Sequence, residues 1–97
     1  PGASAQLRIA DRRAQLVVAG LPAPPRGRIY QVWLKHAGTR QAPEPTPVLF
    51  SVTRDGRASV AVPGDLGDVD AVLVTDEPLG GSQVPTRPTP IISARPA

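Results

Sequence analysis

The chain has 97 residues, 13 of them proline, with no cysteine and 40% apolar residues that include only one Trp, one Tyr and one Phe. That length allows one domain with a single two-layer core, and the missing cysteines exclude disulfide staples and thiolate metal sites while leaving the redox compartment open. The net charge of +3 invites nucleic acid as a partner, but the 11 cations are scattered among 8 acids with almost no aromatics for base stacking, which argues against it.

Short apolar segments recur between turn signals at 6–10, 14–19, 29–35, 48–53, 58–62, 71–75 and 90–94. No helical spacing lies between them, so they predict an all-β, antiparallel β-sandwich of about seven short strands in a single domain. In the first segment Leu7 and Ile9 share one face and Gln6 and Arg8 the other; after Asp11-Arg12-Arg13, Leu16 and Val18 lie opposite Gln15 and Val17. This alternation predicts an antiparallel hairpin with one buried face.

The next segment places Tyr30, Val32 and Leu34 on one face and Ile29, Gln31 and Trp33 on the other. Apolar residues on both faces predict an interior strand covered on each side, and 71–75 has the same character. Asp55-Gly56 predicts a primed two-residue turn joining 48–53 and 58–62 as a second hairpin. The proline-rich stretches 21–25 and 41–47 are expected to be extended connections without helix. No apolar run reaches the ~18–20 residues that cross a bilayer, and no charged-then-apolar leader opens the chain. Both ends read as loose flanks of a domain cut from a longer protein.

Candidate chemistry is sparse. Asp76 and Glu77 are adjacent, so on a strand they point to opposite faces and cannot converge as a glycosidase pair does. Pro78 stops a ladder and Gly80-Gly81 supply backbone angles closed to other residues, so a turn in which Glu77 accepts backbone N–H bonds is the favoured reading over a ligand-cradling loop. The run Asp65-Leu66-Gly67-Asp68-Val69-Asp70 has neither the spacing nor the oxygen count of a calcium loop and reads as a polar turn. His36 is the sole histidine, which removes multi-imidazole zinc sites and leaves a solvated surface residue as the default. Tyr30 and Trp33 are expected in the core rather than on an exposed sugar or peptide platform. No catalytic set, metal site or cofactor site is expected.

Taken in order, Val18-Ala19-Gly20-Leu21-Pro22, Tyr30-Gln31-Val32-Trp33-Leu34, Val48-Leu49-Phe50, Asp55-Gly56-Arg57, the run from Ala71 to Glu77-Pro78-Leu79-Gly80-Gly81-Ser82, and Pro85-Thr86 resemble the C-terminal domain of the anti-sigma-K factor (RskA-type) family. The resemblance runs over 14–92. Its most specific parts are the Tyr-Gln-hydrophobic-Trp-Leu strand and the Glu-Pro-x-Gly-Gly-Ser turn followed by Pro-Thr. Family-motif positions are therefore Tyr30, Gln31, Trp33, Leu34, Phe50, Glu77, Pro78, Gly80, Gly81 and Ser82, expected to be structural. The sequence departs from the pattern at Val32, where Leu is commoner, at Asp76, where a smaller or apolar residue is usual, and at Arg87, which replaces a common Gly.

The resemblance implies the outer, extracytoplasmic domain of a bacterial single-pass membrane regulator. In such proteins a cytoplasmic region holds an extracytoplasmic-function sigma factor, and stepwise proteolysis by membrane-associated proteases releases it. The sigma factor would be bound by the missing cytoplasmic part, and an outside signal or partner by this domain. The competing expectation is a secreted or surface-attached module that binds peptide or glycan with its proline-rich loops or its Gly80-Gly81 turn.

Overall fold

A computed structural model describes residues 3–95 apart from 12, 39, 41, 65 and 88. The alternation at the start of the chain folds β1 (Ser4–Ala10) back onto β2 (Arg13–Ala19), with Leu7 opposite Leu16 and Ala10 opposite Arg13. Asp11 adopts a positive φ of 52°, the left-handed conformation that so short a turn demands and that Asp tolerates better than most side chains. β5 (Ala58–Val62) pairs along the other side of β2, giving a three-stranded sheet in the order β1-β2-β5.

The second sheet has four strands in the order β4-β3-β6-β7, formed by β3 (Arg28–His36), β4 (Glu44–Phe50), β6 (Val69–Pro78) and β7 (Ile92–Ala94). Every pairing is antiparallel. The two sheets form the sandwich that the strand spacing predicted. Between them Leu16, Val18 and Val62 meet Tyr30, Val32, Val72, Val74 and Ile92, and each such side chain removed from water contributes about 1.5–3 kcal/mol. With few aromatics to fill the layer, the Tyr30 and Phe50 rings pack tilted at 5.5 Å between centroids. The Tyr30 hydroxyl donates to the Pro22 carbonyl at 2.5 Å, so its buried polar tip has a partner.

Four sequence expectations are revised. Ile9 shares its face with Leu7 but is 52% exposed, because it sits one residue from the turn at the corner of an edge strand. β4 begins at Glu44 and ends at Phe50, so Pro45 and Pro47 belong to a strand and 51–53 do not. An edge strand tolerates them because one of its sides needs no donor. Thr46, Pro47 and Val48 all lie opposite Val32 in a bulge, and the Thr46 hydroxyl takes over the ladder there, donating to Val32 O at 2.7 Å and accepting from Val48 N at 3.2 Å.

The Asp-Gly turn does not close a hairpin: β4 and β5 lie in different sheets, and the chain crosses from one to the other at 51–57. Only Gly56 has positive φ in that turn, with Gly56 N donating to Thr53 O at 2.9 Å. A Cβ on Gly56 would stand 2.7 Å from Leu21 O, so the glycine serves a close crossing between layers rather than a primed turn. Finally, β6 runs past Thr75 to Pro78, carrying Asp76 and Glu77 inside the sheet.

The registers sort the connections. The start of β1 and the segments 20–27, 51–57 and 79–91 lie at one end of the sandwich, and those at 37–43 and 63–68 lie at the other.

Candidate functional site

Cross-strand pairing puts Ile29 opposite Glu77, Gln31 opposite Thr75 and Trp33 opposite Leu73. These residues share the face of the four-stranded sheet that points away from the sandwich interior, yet Trp33 and Glu77 are both 0% exposed. For Glu77 the 79–91 segment accounts for this, because it leaves β6 at Pro78 and brings Thr86 back against the carboxylate before β7 begins; Trp33 is buried in a cluster with Ala71 and Leu73.

Glu77 is the anchor. Its carboxylate accepts from the Thr75 hydroxyl at 2.5 Å, from the Thr86 hydroxyl at 2.8 Å and from the Thr86 N–H at 3.2 Å. Trp33 Nε1 donates to the Thr75 hydroxyl at 2.7 Å, so indole, hydroxyl and carboxylate form one chain. Burial opposes ionisation of Glu77, but the hydroxyls of Thr75, Thr86 and Ser82 and the Thr86 N–H more than offset it and hold the carboxyl below its ordinary value. Its donors thus come from Thr75 on its own strand and from Ser82 and Thr86 in the 79–91 segment, whereas the sequence reading placed them among the backbone N–H groups of its own turn.

Gln31 fixes the other half of that segment. Its amide accepts from Ser82 N–H at 2.9 Å and donates to Ser82 O at 3.1 Å, as a paired strand residue would, and also reaches Thr46 O at 3.3 Å. The approach is close because the neighbour is glycine: Gly81 has φ 84°, and a Cβ there would meet Gln31 Oε1 at 3.2 Å and Leu49 Cδ2 at 3.3 Å. Gly81 N–H closes the turn onto Pro78 O at 2.9 Å. Gln31, Pro47, Leu49, Gly80 and Gly81 line an open groove of about 500 Å³ between this turn and β4.

Asp76 points to the opposite face, beside Tyr30. It is held by Arg28 Nε and, at 2.7 Å, by Arg87 Nε, while Arg28 Nη2 donates to Asp76 O at 2.7 Å and to the Thr86 hydroxyl at 2.9 Å. Burial raises the Asp76 carboxyl, and the hydrogen bonds and charges of Arg87 and Arg28 win over it and set it below its usual range. Burial, with Asp76 close by, pushes the Tyr30 phenol up. Consecutive residues Thr86 and Arg87 therefore clasp the consecutive carboxylates Glu77 and Asp76 from the two faces of one strand.

The two motif stretches, more than 40 residues apart in sequence, are thus bonded to each other through Gln31 with Ser82 and Trp33 with Thr75. Both belong to the family described as anti-sigma-K factor rskA, C-terminal, which matches residues 1–92. The chain is a member of that family. A relative in Streptomyces griseus, an uncharacterised protein of the phr 5′ region, is 30% identical over 79 residues, covering 78% of this chain and 30% of that protein. The chain therefore spans about a third of that relative's length. No solved structure matches it significantly.

The other RskA-family motif positions fall in the core or at the turn: Tyr30, Leu34 and Phe50 are buried between the sheets, while Pro78 and Gly80 are exposed. Tyr30 at 1% and Trp33 at 0% exposure form no surface platform. Asp76 and Glu77 diverge, and the described residues hold no group of three or more His, Cys, Asp or Glu side chains placed for a metal. Of the acidic run at 65–70, Asp65 lies outside the described residues; Asp68 instead faces His36 Nδ1 at 3.2 Å, and Glu44 meets Nε2 at 2.8 Å. His36 is thus clasped by two carboxylates, where the sequence suggested a freely solvated ring. The hydrogen bond to Glu44 leads in raising its pKa, followed by that to Asp68.

Sequence reasoning missed Arg28, Thr46, Thr75 and Thr86 as members of the network. A signal was present for Thr75, which sits two residues from Glu77 and so shares its face on any strand. For Thr86 the Pro-Thr pair of the family motif was a signal, whereas for Arg28 there was none, since its role depends on how the 79–91 segment folds back.

Proposed function

We propose that this domain is the extracytoplasmic regulatory part of a membrane-bound anti-sigma factor. Family membership over residues 1–92 carries the reading: the family is regulatory rather than enzymatic, and a β-sandwich whose polar residues bond one another suits a regulatory module. The sigma factor is held by a cytoplasmic segment outside this chain, and membrane-associated proteases release it by cutting the tether. The domain controls that access through its folded state or through an outside partner.

Deleting the domain from the full-length protein is expected to raise transcription from the cognate sigma-dependent promoters and to increase cleavage of the remainder. Reporter output and cleavage at wild-type levels would remove the regulatory role. A second reading, a surface module that binds an extended peptide or glycan, is favoured by the groove between Pro47, Leu49 and the Gly80-Gly81 turn. It predicts a cleavable leader directly upstream in place of a helical sigma-binding region and a membrane span.

A further inference from the structure

The charges of this chain are spread along the sequence but not over the molecule. At the end where β1 starts, Arg26, Arg54 and Arg57 are exposed. Of the carboxylates at that end, Asp55 alone is exposed, 3.7 Å from Arg57, whereas Asp76 and Glu77 are buried. The opposite end is closer to balance among the described residues, with Asp11, Glu44, Asp68 and Asp70 set against Arg8, Arg13, Lys35, Arg40 and Arg95.

The apolar surface is biased the same way. Leu79 and Val84, at 67% and 60%, are the most exposed of the large hydrophobic side chains, and both stand on the segment that leaves the arginine-rich end. The network described above fixes that segment on either side of Val84, through Ser82 and Thr86. Two apolar side chains held out on the segment that leaves this end, with Arg57 facing Asp55 but Arg26 and Arg54 in no ion pair among the described residues, form a surface with two complementary demands. It wants negative charge at the level of the guanidiniums and hydrocarbon beyond it.

We infer that this end docks on an anionic lipid surface, with Leu79 and Val84 entering the headgroup region and Arg26, Arg54 and Arg57 meeting lipid phosphates. Nucleic acid satisfies only the charge, since the surface offers it no exposed aromatic for stacking. The physiological setting rests on the membrane-tethered reading above: β1 starts at this end, so a tether leading into it would hold the end at the bilayer. Docking would then cover the tether and restrict protease access. The binding itself does not depend on that reading, because it is measured on the chain alone.

The test is co-sedimentation of the 97-residue chain with vesicles of phosphatidylcholine alone and of phosphatidylcholine mixed equally with phosphatidylglycerol. Binding is expected only to the mixed vesicles, and it should be lost when salt shortens the Debye length to ~3 Å. Arg26→Gln and Arg54→Gln should each lower the partition coefficient about five-fold. Leu79→Ser with Val84→Ser should lower it about ten-fold, with the melting temperature unchanged in all variants. Absence of binding to the mixed vesicles overturns the proposal. So does binding that the serine variant retains and duplex DNA competes away, which would make the surface a general polyanion site. If vesicle binding holds but domain deletion leaves the reporter silent, the regulatory reading fails and the lipid surface stands.

Discussion

The outward faces of the two sheets carry similar side chains and treat them in opposite ways. On the three-stranded sheet Gln6, Arg8, Gln15 and Ser59 stand in solvent, with Gln15 bonded to Ser59 at 2.5 Å. On the four-stranded sheet Gln31, Thr75 and Glu77 are just as polar, yet they lie buried beneath the 79–91 segment. The first face is polar because water covers it. The second is polar because a loop with unpaired backbone and hydroxyl donors covers it, and buried donors need acceptors. No buried side-chain nitrogen or oxygen among the described residues lacks a partner, so the covered face behaves as a closed network in which each member depends on the others.

The strongest test of that contrast removes one hydrogen-bonding side chain from each face. Glu77→Ala leaves the buried Thr75 hydroxyl without its acceptor and takes from the Thr86 N–H and hydroxyl the partner that holds them to the strand. The expected cost is ~1–3 kcal/mol, a fall in melting temperature of about 10 °C for a domain of this size. Gln15→Ala on the open face should change stability by less than ~0.5 kcal/mol. Because the folded Glu77 carboxyl is held below its ordinary value of 4.5, its contribution is present above that pH and is lost as pH falls through the folded value. Thermal melts read by the single, fully buried Trp33 should therefore show an acid-sensitive limb that Glu77→Ala flattens. Equal costs on the two faces would mean that the loop is not held by this network.

A smaller effect separates what the family pattern supplies from what this chain adds. Two of the three motif departures, Asp76 and Arg87, are bonded to each other at 2.7 Å. Removing either alone leaves a partly buried charge short of a partner, since Arg28 must then balance or be balanced without it. Asp76→Ala and Arg87→Gly should each destabilise, and the double variant should cost less than the sum, with a coupling of about 1 kcal/mol in a double-mutant cycle. Additive costs would make the pairing incidental and assign Asp76 to Arg28 alone.

The sandwich was legible because its signal is local: Leu7, Leu16, Val18, Tyr30, Val32 and Val74 alternate with the period of a strand, and alternation needs no knowledge of the partner. The divergence of Asp76 and Glu77 was legible for the same reason. That 29–35 is covered on both faces was legible too, from Ile29 and Trp33 beside Gln31. What covers Gln31 and Glu77 was not, because the fold-back of 79–91 is a long-range event that periodicity does not encode. The Asp55-Gly56 turn shows the converse limit. Its local chemistry is that of a hairpin, but Gly56 is needed for the approach to Leu21 as the chain changes sheets.

The smallest effect belongs to the polar trio at the far end, where no loop excludes water. His36 sits between Glu44 and Asp68, both more than half exposed, and this contact raises the imidazole above its ordinary 6.5. A raised folded pKa means the charged ring stabilises the fold fully below about pH 6.5 and that this contribution disappears as pH rises through the folded value. Solvent screening keeps it small, so the melting temperature should fall only slightly across that window. His36→Gln should abolish the change, and Asp68→Asn should reduce it. In an NMR titration the ring should titrate above a free histidine and shift towards it when salt is raised. A melting change across neutral pH as large as the Glu77 effect would show that exposed and covered clusters are held with equal strength, and would break the distinction between the two faces on which the loop's role depends.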